Sequence, residues 1–168
     1  MTATYEPIAT PQTVSGSSTN TITFSSVSSA YTDLVVVMNV GATSGSNTGF
    51  GMYFNSDTGT NYSDTRINGD GSSATSARGT SQARILQCSF ALPETSSVYA
   101  PVITQIFNYT NTTTNKSALV RSNSASAAVQ AVVGLWRSTA AITSVTFYTF
   151  AGNFSSGSTF ALYGIKAE

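Results

Sequence analysis

The chain has 168 residues, seven basic and seven acidic side chains, no histidine and one cysteine, and only 8% of it is charged, against about 25% in an ordinary soluble domain. The bases Arg66, Arg78, Arg84, Lys116, Arg121, Arg137 and Lys166 are scattered. They form no phosphate-neutralising patch, which argues against nucleic acid as a partner. An intramolecular disulfide and metal sites built on Cys and His are excluded as well.

A chain of this length can bury roughly 70% of its unfolded surface, enough for one domain with a real core. Ser and Thr make up about a third of it, so its surface is hydroxyl-rich rather than charge-rich. With a formal net charge of zero, little self-repulsion opposes dense packing against copies or a partner. Met1–Pro11 has neither a basic nor an apolar leader region, and no segment has the eighteen or so apolar residues of a membrane span. Synthesis in a cytoplasm, with no membrane partner, is the expectation.

Pro7, Pro11 and Gly16 oppose regular structure early on, so residues 1–18 read as an extended N-terminal arm anchored by Tyr5 and Ile8. Such an arm either frays or docks on a neighbouring subunit. Residues 19–168 form the domain. Thr21–Phe24 alternates with Ile22 and Phe24 inward. Asp33–Val40 is β-branched and apolar on both faces, which predicts a central strand covered on each side. Gly49–Asn55 sets Phe50, Met52 and Phe54 against Tyr53, and the two strands are expected to pair as a hairpin across the loop Gly41–Gly49.

Asn55–Gln82 lacks periodicity and reads as a long Asx-rich loop. Its Asp57, Asp64 and Asp70 have the wrong spacing for an EF-hand, so no metal site is assigned. Ile85–Leu92 is a strand ended by Pro93, with Cys88 as a buried, inert thiol. Val102–Tyr109 places Ile103, Phe107 and Tyr109 on one face. Lys116–Ser122 mixes charge and apolar residues, as an edge strand or an assembly interface would.

In Ala127–Trp136 the valines and Gly134 favour a strand over a helix, with Val129, Val133 and Leu135 inward and Trp136 on the opposite face. Ala141–Phe150 sets Val145 and Phe147 against Ile142, Tyr148 and Phe150. Ser158–Ala167 closes the pattern, with Phe160 and Leu162 in the core and Tyr163 at the surface or an interface. About eight or nine strands and no amphipathic helix predict an all-β, single-domain antiparallel β-sandwich.

Chemistry is sparse. A serine nucleophile has no histidine to serve it and no Ser-x-x-Lys spacing. Most of the acids lie in loops or at the termini, which disfavours a facing carboxylate pair. The glycines build no phosphate loop. Neither a catalytic residue nor a cofactor is assigned, and the Asn-x-Ser/Thr sequons read as turns. Trp136, Tyr53, Tyr62 and Tyr109 are candidates for a sugar-stacking platform, although core or interface aromatics are the commoner case.

Four stretches in order, NSDTGTNYS at Asn55–Ser63, NYTNTTTNK at Asn108–Lys116, GLWRSTAAITSVTF at Gly134–Phe147 and GSTFALYGIKA at Gly157–Ala167, make the chain similar to small structural proteins of tailed bacteriophages. The resemblance spans most of the chain from Asp33 onward. It implies a jelly-roll sandwich and a non-enzymatic virion component made in the host bacterial cytoplasm. Among virion positions, a capsid decoration (cement) protein on the outer capsid surface is favoured, bound to the major capsid protein and to copies of itself as a homotrimer. A tail-associated receptor- or glycan-binding protein is the alternative. Candidate interface anchors are Tyr5, Ile8, Arg121, Trp136 and Arg137.

Overall fold

The computed structural model describes residues 5–43, 48–88, 98–125 and 127–166, apart from the side chain of Cys88. The expectations for Met1–Thr4, for the Cys88 thiol and for residues 89–92 lie outside the described residues. Among the described residues thirteen strands follow in chain order: β1 Tyr5–Pro7, β2 Gln12–Thr13, β3 Thr21–Phe24, β4 Asp33–Val40, β5 Phe50–Phe54, β6 Tyr62–Gly69, β7 Ala74–Gln82, β8 Ile85–Cys88, β9 Ala100–Phe107, β10 Lys116–Ser124, β11 Ala128–Trp136, β12 Val145–Thr149 and β13 Thr159–Ile165. They form two antiparallel sheets. The larger runs β1-β13-β4-β9-β10-β11-β6-β7, with β2 also on β13, and the smaller runs β3-β12-β5-β8.

Setting aside the hairpins β6–β7 and β10–β11 reduces the chain to eight strands, with β1 and β2 counting as one interrupted strand. The first, eighth, third and sixth of these form one sheet, and the second, seventh, fourth and fifth form the other. That is the double Greek key of a jelly roll. The expected all-β sandwich is therefore present. The strand count exceeds eight or nine because both inserted hairpins extend the larger sheet beyond β9.

The core lies between the sheets. Leu34, Val36, Met38 and Val40 on β4 and Phe160 and Leu162 on β13 face Phe50, Met52 and Phe54 on β5 and Val145 and Phe147 on β12. Phe147 and Phe160 meet across the sandwich at 5.9 Å, and Phe154 packs edge-on against Phe160 at 5.1 Å. Each such buried side chain contributes roughly 1.5–3 kcal/mol.

Several expectations change here. β4 and β5 are not a hairpin: they lie in opposite sheets and send their apolar residues into the core from opposite sides. Residues 5–14 are not a free arm but the first jelly-roll strand, paired with β13. Ile8 N donates to Leu162 O, Val14 N donates to Ser158 O, and Val14 is buried.

Tyr62–Gln82 is a strand pair rather than a loop, closed by Asp70, whose Oδ1 accepts from Ser72 N and Ser73 N. Its apolar period is missing because most of β7 is exposed on both faces, leaving no core to demand one. On β9 it is Val102, Thr104 and Ile106 that point inward, and Tyr109 re-enters the core after Asn108, whose φ of 47° breaks the two-residue period. β10 is central rather than an edge, lying between β9 and β11. On β4, Val37 is exposed, so the strand is covered fully on one face only.

Candidate functional site

Side chains opposite one another on paired antiparallel strands share a face. One row on the outer face of the larger sheet therefore runs Tyr163, Val35, Gln105, Leu119, Val133, Thr65. The next runs Ala161, Val37, Ile103, Arg121, Ala131, Ile67. Val129 is 63% exposed, Ile67 58%, Val133 53%, Val37 42% and Leu119 40%. Arg121 is the one charged side chain in these two rows, with Arg78 beyond Thr65 at the β7 edge.

The inserted strands carry apolar residues on both faces and bury polar ones among them. Gln130, Ser122, Ser124 and Asp64 point inward and are buried, whereas Val129, Val133, Leu119 and Ile67 point out. This reverses the expected orientation of Val129, Val133 and Leu135 on β11. The phase is set by Trp136 and Val132, which share the inward face with Gly134. At Gly134, β8 comes so close that a Cβ would sit 2.3 Å from Ile85 Cγ2. Only the glycine phase lets Ile85 seat over β11, and that seat turns the alternate valines to solvent. A shallow trough bordered by Ile67, Gly69, Ala74, Val129 and Ala131 runs along this surface.

The candidate anchors fall in different places. Tyr5 is exposed on β1, in register with Ile165. Arg121 stands in the outer face, four strands across the sheet and four residues further along, roughly 23 Å away. Ile8 is partly buried against the core. Arg137 is spent locally, its guanidinium donating to Thr60 O, Tyr62 O and Ser63 Oγ. Trp136 is not a surface anchor, since it is 3% exposed, stacked on Tyr62 at 6.2 Å and 5.5 Å from Phe54.

Of the sugar-platform candidates, Trp136, Tyr62 and Tyr109 are buried. Tyr53 alone stays partly exposed, and it heads a row on the smaller sheet with Tyr148 at 5.6 Å and Phe150 a further 5.9 Å on. The Arg84 guanidinium lies 4.2 Å over the Phe150 ring.

The charged groups hold loops and turns. Trp136 Nε1 donates to Asp57 Oδ2 at 2.7 Å, with Asn61 Nδ2 and Gly59 N adding bonds. Chiefly the indole, then the amides, keep the Asp57 carboxyl below its ordinary range. Burial pushes Asp64 up against the opposing pull of Arg66. Burial also lowers the Lys116 ammonium, which donates to the carbonyls of Thr114 and Thr139. Lys166 pairs with Glu6 at 3.1 Å. Among the described residues, no group of three or more His, Cys, Asp or Glu is placed to hold a metal ion.

The outer face went unrecognised in the sequence because AVQAVVGLW is apolar in both phases of a strand. Of the residues that make it, Val37, Leu119, Val129 and Val133 were legible as apolar strand positions, whereas Ile67 fell in the stretch expected to be a loop. The class defined by the fold is a jelly-roll β-sandwich with a hairpin-extended sheet. The chain matches no protein-family model, no curated protein and no solved structure.

Proposed function

We propose that this chain is a non-enzymatic structural protein of a tailed-phage virion, a capsid decoration protein that binds the outer shell and bridges its subunits. The observation that carries the assembly part of this reading is the outward, nearly uncharged apolar face of the extended sheet. An isolated soluble domain rarely exposes a contiguous apolar patch of more than a few hundred Å². The phage assignment comes from the ordered resemblance of four stretches of the chain. The partners in this reading are the major capsid protein and further copies of the chain.

The protein works through area rather than chemistry. A standard contact buries about 1,600 Å², with a few anchors carrying most of the energy. Quantitative mass spectrometry of purified particles tests the reading: on the order of hundreds of copies per particle support the shell, while about a dozen or fewer support the tail. Absence from particles refutes both. The aromatic row Tyr53, Tyr148 and Phe150 favours one second reading, a tail-associated glycan or receptor binder, since exposed ring faces stack on sugars. Binding on a glycan array, or host adsorption blocked by the free protein, would select that reading.

A further inference from the structure

We infer that the outer face of the larger sheet, centred on Leu119, Val133, Ala131, Ile67 and Val129, is covered by another copy of this chain. The inference takes its surface from the assembly reading above and names what lies against it. On β10, β11 and β6 the inward face already buries Val120, Val132 and Trp136 beside Ser122, Ser124 and Gln130, and yet Leu119, Val129, Val133 and Ile67 point away from the protein's own core. A sheet with large apolar side chains on both faces calls for a layer against each of them.

Size and charge point to a copy as that layer. The seven strands from β13 to β7 span about 34 Å by 23 Å at standard spacings, on the order of 800 Å². That equals the area of roughly 800 Å² that each partner gives to a stable interface. A strongly charged partner would find only Arg121 within the two central rows, and Arg78 at their β7 edge. A like copy meets little repulsion there, because the long Arg121 stem can carry its guanidinium to the rim. The surface also has the relief for self-packing, with ridges at Val129, Val133 and Ile67 beside a trough floored by Gly69, Ala74 and Ala131. Aliphatic ridges of one copy fill the trough of another, as facing sheets do in a sandwich core.

Light scattering coupled to size exclusion, run on the whole chain over a micromolar dilution series, tests this. The wild type is expected to be an oligomer, with a thermal midpoint that rises with concentration. Val133→Glu and Val129→Lys change exposed side chains, so each should keep the wild-type circular dichroism spectrum yet weaken association by about a hundredfold or more. Tyr148→Ser, on the other sheet, should leave the oligomer intact. A wild type that stays monomeric, an oligomer that survives Val133→Glu, or one that Tyr148→Ser dissolves would each overturn the inference. The virion reading fails separately. Self-association through this face by a protein absent from particles sinks that reading alone, whereas normal particle occupancy by a monomeric protein sinks this inference alone.

Discussion

Gly134→Ala is a small change with a large expected cost. The added methyl would lie 2.3 Å from Ile85 Cγ2 and 2.8 Å from both Cγ1 and Cδ1, so three atoms of one branched side chain must retreat. A rotamer change cannot clear them all, because Ile85 is fully buried beneath the inserted hairpins. Overpacking of this kind costs about 1–3 kcal/mol. For a chain of this size that is roughly 3–9 °C in thermal midpoint. Ile85→Ala alone removes the crowding atoms and opens a cavity, at about 2–5 kcal/mol. The double variant should then be less destabilised than the sum of the two, by about 1–2 kcal/mol, since the new methyl occupies part of the space vacated. Urea unfolding followed by Trp136 fluorescence measures all three. A Gly134→Ala variant within about 0.5 kcal/mol of wild type, or a double variant that is simply additive, would show that β8 does not seat on β11 as described.

Two further outcomes are expected. Trp136→Phe keeps most of the aromatic packing but removes the indole donor to Asp57, and it should cost about 1–2 kcal/mol at neutral pH. Because Asp57 titrates lower folded than unfolded, its contribution is present above the ordinary carboxylate pKa of about 3.9 and is lost as pH falls through the lower folded value. The gap between wild type and variant should therefore shrink on acidification; a gap that widens towards low pH would contradict the Asp57–Trp136 bond. Leu162→Asp puts a carboxylate where 1% of the residue is exposed, a cost of about 4 kcal/mol or more. Little soluble protein with a strand spectrum should be recovered, and a folded Leu162→Asp protein would remove β13 from the core.

Alternation along single strands was legible wherever one face met the core and the other met water. Ile22 and Phe24, Phe50, Met52 and Phe54, and Phe160 and Leu162 are buried as their two-residue period demands. It failed where both phases carried apolar residues, as in β11, or where neither did, as in β7. Of the candidate anchors, Tyr5 and Arg121 face solvent on the larger sheet, whereas Trp136 is held inside by Tyr62, Phe54 and Asp57. No local signal separates a buried tryptophan from an exposed one, because its neighbours come from residues 54–62, more than seventy positions earlier in the chain.

What the sequence by itself determined was the class: short alternating strands, turn chemistry between them, no helix, and too little charge for a highly solvated surface. Those properties are local, set by the two-residue period and by residues such as Asp70 and Gly71 that close a turn within four positions. The tertiary structure decided which strands share a sheet, and so that β4 and β5 face each other rather than pair. It also turned residues 5–14 into the opening jelly-roll strand, because β13 supplied an unpaired edge for them. Above all, it decided which face of the inserted hairpins looks outward. That depended on a single close approach, Ile85 over Gly134, between two strands separated by nearly fifty residues.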